Sequence, residues 1–327
     1  MSRALFPLEL IWRTVNDLRR RGYEKGWFTQ HSLPRPVISV GNISTGGSGK
    51  TPTVIHLAKF LVARGWRVAI LSRGYRRQGS EISLVSENDA TRYGDEPVLI
   101  RRHVPECDVV VGPSRYESGL WLLNRKDCDV FLFDDGFQHL QLRRDIDLVI
   151  DDPEAIHLRE SRRALRTAEL LLVRTSSAYT ESDGREFGLA IEPTTVILGG
   201  ERHGLGIFVG KRIAAFSGLA NNERFFRSLE RLGGRVVVRR EFRDHADYDE
   251  STLQEMMELK EESGADFLVT TEKDWVKFDS FDVGVLTVEA VVSPLADFHG
   301  VLIDLLEDSC RKQGRLIPAF EMNHVRS

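Results

Sequence analysis

Cysteine is scarce in this 327-residue chain, and Cys107, Cys128 and Cys310 form an odd set with no CxxC pair. That excludes a zinc knuckle and a disulfide framework, and it fits a reducing cytosol. Long hydrophobic runs are also missing. No stretch of about 18 apolar residues is available to span a bilayer, and the first residues lack the layout of a cleavable signal peptide, so the chain is expected on the cytoplasmic side. Repeats at periods of about 20–50 residues and low-complexity tracts are absent, which removes solenoids and linker-rich architectures. A basic surplus is absent too. The formal charge of −4 argues against a bulk nucleic-acid binder, and no nucleic acid is expected as a partner.

What is present is alternation. With 41% hydrophobic residues the chain can bury a real core. Short β-rich runs recur at 35–43, 66–74, 108–112, 129–136, 146–151 and 169–174. Between them lie helical spacings such as Thr53 to Arg64, stopped by Gly65. Near-continuous apolar strands separated by helices predict an α/β fold with a mainly parallel sheet covered on both faces. The rhythm restarts near residue 195 with "TTVILGG", "KRIAAFSGLA", "GRVVVRREF" and "DFLVTTEKDW". We therefore expect a core at 29–195 and a second, smaller α/β lobe at 196–327. A last helix near Phe298 to Arg311 is free to pack on either.

"SVGNISTGGSGKTP" (39–52) joins a strand to a helix through a glycine-rich turn. Such a turn gathers backbone N–H groups at a positive helix end, and this phosphate loop suits a nucleotide such as ATP. Gly46, Gly47, Ser48 and Gly49 form the turn, Lys50 can reach the β- and γ-phosphates, and the Thr51 hydroxyl can ligate Mg²⁺. Pro52 in the first helical turn costs little. Ser44 stands where the GxxxxGK[ST] pattern has its first glycine, and Thr45 stands where partitioning-type ATPases carry a lysine.

"VFLFDDG" ends an apolar strand in two carboxylates, as a metal site at a strand's C-terminal edge requires. In an extended strand Asp134 and Asp135 point to opposite sides, so at most one faces the metal directly. In "YGDEP", Asp95 and Glu96 read either as a helix start or as carboxylates that orient an acceptor hydroxyl. His245 in "RDHADY" is a lone histidine whose pairing the spacing does not reveal.

At the N-terminus Leu5, Leu8, Ile11, Trp12, Val15 and Leu18 form one apolar helical stripe, followed by Trp27 and Phe28. Six basic side chains against three acidic ones give residues 1–28 a charge of +3. The pattern suits both a helix lying in an anionic membrane interface and a helix docked on the sheet. Arg159, Arg162, Arg163 and Arg166 share one face if 159–166 is helical, either as an anion-binding stripe or as a solvated face.

Taken together, "GNISTGGSGKTP", "LSRGY" (71–75), "YGDEP", "DDGFQH" (134–139), "FSGLANNERFF" (216–226) and "TTEKD" (270–274) occur in the order found in the tetraacyldisaccharide 4'-kinase, or lipid A 4'-kinase, family, which the chain resembles over most of its length. The resemblance implies a two-lobed P-loop fold with an N-terminal membrane-associated helix at 1–28. It also implies a peripheral or monotopic enzyme on the cytoplasmic face of the bacterial inner membrane, expected here as a monomer. The implied reaction moves the γ-phosphate of ATP, with Mg²⁺, onto the 4'-hydroxyl of an acylated glucosamine disaccharide 1-phosphate, forming lipid IVA.

The resemblance assigns Lys50 and Thr51 to the phosphate loop, and it makes Asp95 and His245 a catalytic dyad with Lys50 beside them. Thr51, Glu96, Asp134 and Asp135 fall near the metal, and Tyr75, Arg115, His139 and Arg159 near the sugar-phosphate substrate. The chain departs from the family pattern in a shortened "DDPEAIHLRES", in Asn222 for a common Pro, and in Arg76–Arg77 after "SRGY". A GTPase-like assembly switch would need a base-reading [NT]KxD element, which "TEKD" does not match. A soluble small-molecule kinase would instead leave the N-terminal stripe docked internally.

Overall fold

The structure is a computed structural model that describes residues 6–314, apart from 87, 156, 176–183, 279–282 and 294–296, with side chains from residue 14 onward. The chain begins with α1 (Phe6–Glu24), then β1 (Val37–Asn42), α2 (Lys50–Ala63), β2 (Val68–Ser72), the short β3 (Ser83–Leu84), α3 (Ala90–Tyr93) and α4 (Asp95–His103). It continues through β4 (Asp108–Val111), α5 (Arg115–Leu123), β5 (Val130–Asp134), β6 (Ile146–Asp151), β7 (Leu170–Arg174) and the long β8 (Glu186–Leu198). The remainder comprises β9 (Glu201–His203), β10 (Arg212–Ser217), α6 (Asn222–Arg231), β11 (Arg235–Glu241), α7 (Glu250–Glu262), β12 (Phe267–Thr271), α8 (Glu272–Trp275), β13 (Gly284–Val292) and α9 (Phe298–Lys312).

All described strands join one sheet in the order β11-β10-β12-β13-β8-β7-β6-β1-β5-β2-β4-β3, with β9 paired to β8. From β7 to β4 the pairing is parallel, and strands such as β1, β2, β5 and β6 are buried at every position because helices cover both faces. The expected mainly parallel α/β architecture is present. The second half, β10 to β13, is also parallel within itself, but β13 meets β8 antiparallel. The two sets of strands therefore run in opposite directions, and the loops leaving their C-terminal ends meet. Thr195, where the sequence rhythm restarts, lies inside β8, so the change marks the strand that crosses between the halves.

On one face of the first half, Val54, Leu57, Ala58 and Leu61 of α2 and Val98 and Ile100 of α4 pack with Phe298, Leu302 and Leu306 of α9. The last helix thus returns to the phosphate-loop half. Burying each such leucine contributes about 1.5–3 kcal/mol relative to exposure. The opposite face is closed by α5, while α6 and α7 cover the second half.

Candidate active site

The phosphate loop leaves β1 and enters α2 as the sequence expects. Gly49 sits at φ 95°, where a Cβ would stand 2.9 Å from Ile191 and 3.1 Å from Arg174. Only glycine fits there. The loop is braced from outside: Ser44 bridges Leu158, Thr45 N–H donates to the His157 carbonyl at 3.0 Å, and Arg159 N–H donates to the Ile43 carbonyl at 2.6 Å. The shortened segment before Arg159 therefore lies along the loop. The Lys50 ammonium donates to Asn42 Oδ1 at 3.3 Å and stands 3.4 Å from Asp135 Oδ1, while Thr51 occupies the first turn of α2.

Beside the loop, β5 delivers its two acids differently. Asp134 is 2% exposed, and Ser72 Oγ donates to its Oδ2 at 3.5 Å, but its Oδ1 has no partner among the described residues. Burial, then the charges of Glu96 and Asp135, push its carboxyl up to about 7. Asp135 turns out at φ 54° and meets Lys50 and Arg159, the latter at 3.3 Å. Burial opposes its ionisation, yet these two cations hold its pKa below the usual carboxylate range. An orphaned carboxylate oxygen among oxygen donors fits a hard divalent cation. Among the described residues no three His, Cys, Asp or Glu side chains could hold a metal ion by themselves. Mg²⁺ takes one or two carboxylates and completes its shell with phosphate oxygens and water.

Asp95 and His245, 150 residues apart, meet where the halves face each other: Nδ1 of His245 lies 2.8 Å from Asp95 Oδ2. Gly94, at φ 92°, caps α4 and puts Asp95 in its first turn, so the helix-start reading of "YGDEP" holds. His245 itself sits at φ 59°, in the sparsely populated left-handed region. Lys273 Nζ approaches His245 Nε2 at 3.3 Å. Because an ammonium can only donate, this contact assigns the ring proton to Nδ1, facing Asp95. Lys273 also lies 3.5 Å from Glu96, and Lys277 lies 3.7 Å from Asp95. Burial would raise the Asp95 pKa, but the His245 hydrogen bond and the two lysines outweigh it and hold the carboxylate ionised. A cleft of about 810 Å³ opens on this pair, lined also by Tyr75, Arg76 and Lys277.

Tyr75 stands half-exposed with its ring 4.9 Å from His245. Arg115 is buried at the start of α5, over the Phe133 ring, and burial lowers its pKa to about 10. His139 packs edge-on against the same ring; burial first, then neighbouring arginines, lower its pKa to about 4, so it is neutral. Arg159, Arg115 and His139 thus gather around the end of β5, while Tyr75 lines the cleft beside His245. The segment 159–166 is not one helical stripe. A 3-10 helix spans Arg162–Thr167, Arg159 turns to Asp135, and Arg162 pairs with Asp151.

Sequence reasoning missed Lys273 and Lys277, which follow β12 in "TEKDWVK" and put two ammonium groups beside the dyad. Two lysines four apart just after an apolar strand were the available signal. It also missed Arg20, which is 7% exposed and pairs with Glu160 at 2.8 Å while covering Phe137.

A phosphate loop, an acid pair at the neighbouring strand end and a carboxylate–histidine dyad across a cleft define a two-lobed phosphate-loop phosphotransferase. The family model described as tetraacyldisaccharide-1-P 4'-kinase matches residues 1–307. A relative named tetraacyldisaccharide 4'-kinase from Geobacter sulfurreducens is 38% identical over 311 residues, 86% of each chain. Another of that name, from Syntrophus aciditrophicus, is 34% identical over 343 residues, 91% of each. The crystal structure of LpxK from Aquifex aeolicus, described as an "apo" form in complex with ATP, superposes with a TM-score of 0.76 at 31% identity, covering 93% of this chain and 98% of that one. The chain belongs to the tetraacyldisaccharide-1-P 4'-kinase family. Its reaction is the ATP-dependent phosphorylation of the 4'-hydroxyl of tetraacyldisaccharide 1-phosphate in lipid A synthesis.

Proposed function

We propose that Asp95 accepts the proton of the sugar 4'-hydroxyl as its oxygen bonds to the γ-phosphorus and the bond to the β–γ bridging oxygen breaks, releasing ADP. The observation that carries this is the 2.8 Å contact between Asp95 and His245. His245 orients the carboxylate, and the lysines around it stabilise its charge. A carboxylate held below its ordinary pKa is a weak base, so aiming the hydroxyl contributes more than removing its proton. Gly46 to Thr51 hold the triphosphate, with Lys50 offsetting its charge. Thr51, Asp134 and Glu96 are the oxygen donors that would hold Mg²⁺, which when bound would neutralise charge on the phosphates. Arg115, Arg159, His139 and Tyr75 are assigned to the sugar-phosphate acceptor. The test is transfer of γ-labelled phosphate to the lipid in micelles. Asp95→Asn should lower kcat by about 10²–10⁴-fold and leave ATP affinity near that of the wild type; near-normal turnover would remove Asp95 from the mechanism.

We further propose that α1 and the residues after it rest on the cytoplasmic face of the inner membrane, next to the lipid acceptor. Among the described residues no helix is long and apolar enough to cross a membrane. Support comes from Val15 and Leu18 on α1 and from Trp27 and Phe28, each about half exposed or more. They point outward while Asn16, Asp17 and Arg20 tie the other side of the helix to Arg159, Ser161 and Glu160. An apolar side facing solvent beside Arg21 and Lys25 matches an interface with anionic lipid. Leu5 lies outside the described residues, as do the side chains of Leu8, Ile11 and Trp12.

A further inference from the structure

One largely buried cation has no part in the roles assigned above. Arg174 closes β7, and its Nη1 donates to the carbonyl of Ser48, in the middle of the phosphate loop, at 3.0 Å. Among the described residues no carboxylate pairs with it. The nearby acids Asp152 and Glu154 are engaged by Arg224 of α6, at 2.9 and 3.4 Å. Burial, and then the charge of Arg224, lower the Arg174 pKa to about 10, with Asp152 and Glu154 opposing, so the guanidinium remains charged at neutral pH. A cation withdrawn from water whose nearest acids are shared with a second arginine is only partly offset, and a guanidinium has five donors, of which this carbonyl uses one.

The peptide plane explains what the contact does. In a trans peptide the Ser48 carbonyl and the Gly49 N–H point in opposite directions. Fixing the carbonyl outward on Arg174 therefore fixes the Gly49 N–H inward, at the start of α2 beside Lys50. Gly49 is the residue whose Cβ would collide with this guanidinium and with Ile191, so loop and arginine fit each other closely.

We propose that Arg174 is a nucleotide-positioning residue: it holds the phosphate loop in its receptive turn from behind and adds a positive charge there that the bound nucleotide's phosphates complement. This rests on the assignment of Gly46–Thr51 to the triphosphate but concerns a residue outside that loop. It predicts a selective effect. Arg174→Gln in the full chain should weaken ATP binding about ten- to a hundredfold, the range of one charge-assisted hydrogen bond. KM for the lipid acceptor should stay unchanged, and the melting temperature without nucleotide should be unchanged or higher, because a buried and only partly offset charge has been removed.

Calorimetric titration with MgATP, paired with KM for each substrate, reads this directly. Arg174→Met, of similar length, is read the same way, so a folding failure of one variant leaves the test standing. An ATP affinity within about twofold of the wild type in a folded variant overturns the proposal. So does a parallel loss for both substrates with a lowered melting temperature, which is what a purely structural arginine would give. Lys50→Ala separates the two readings: if it weakens ATP binding and Arg174→Gln does not, only the role of Arg174 fails, whereas if neither does, the phosphate-loop assignment fails.

Discussion

Asp274 is fully buried, and its two carboxylate oxygens accept from four donors. Gly218 N–H and Thr271 Oγ1 reach Oδ2 at 3.0 and 2.7 Å, while Tyr248 Oη and Lys277 Nζ reach Oδ1 at 2.8 and 3.3 Å. Through Lys277 this residue sets the charge that faces Asp95. Removing it would leave the Tyr248 phenol without its acceptor and strip the buried Lys277 ammonium of one of its two carboxylates, so Asp274→Ala should cost about 3–5 kcal/mol. Urea denaturation measures this, and a variant within about 1 kcal/mol of the wild type would show that water or repacking replaces the carboxylate. At this scale the sequence reveals residues whose neighbours are local, such as Lys50 and Thr51 behind their glycines. It hides those whose partner is distant: nothing in the spacing joins Asp95 to His245 or Arg20 to Glu160, because those contacts exist only after the halves pack.

The helix α1 shows what periodicity can and cannot tell. The threefold and fourfold recurrence of apolar residues predicts an amphipathic helix, and Phe6–Glu24 is helical. Periodicity does not say which side is covered. The helix docks by polar contacts through Asn16, Asp17 and Arg20 and leaves Val15 and Leu18 exposed. Since Leu18 and Trp27 are 58% and 69% exposed, Leu18→Asp with Trp27→Ser should leave unfolding midpoints nearly unchanged. Binding to vesicles of phosphatidylethanolamine and phosphatidylglycerol should fall about tenfold or more, as expected for losing the apolar contacts of one large and one medium side chain. KM for the lipid should rise. Unaltered vesicle binding in flotation would mean that another surface makes the contact. A similar limit applies to 159–166, where four arginines at helical spacing form no helical stripe because Arg159 and Arg162 are drawn to Asp135 and Asp151.

Across the whole molecule, strand–helix alternation made the parallel halves legible, but the antiparallel junction of β8 and β13 and the return of α9 were not, since both depend on contacts made late in the chain. That return seats His299 of α9 on His56 of α2, the helix that starts at the phosphate loop, with Nε2 to Nε2 at 2.9 Å. One ring must donate and the other accept, so the pair requires a neutral imidazole. Burial, then His299, lower the His56 pKa to about 4, with Glu289 opposing and Lys59 adding; burial and Arg64 lower that of His299, with Asp297 opposing. Between about pH 6.5 and 4 the unfolded chain therefore binds more protons at His56 than the folded one. The stability that the neutral His56 contributes is complete above pH 6.5 and is lost as the pH falls toward 4, by on the order of 1–2 kcal/mol at pH 5. His139, also lowered to about 4, adds in the same window and Asp134, raised to about 7, opposes it there, whereas Asp95 and Asp135, held below their usual range, contribute only at lower pH. Urea titrations at pH 7 and 5 should show the wild type losing more stability than His56→Gln. Equal losses would mean that the contact between α2 and α9 does not carry the acid sensitivity.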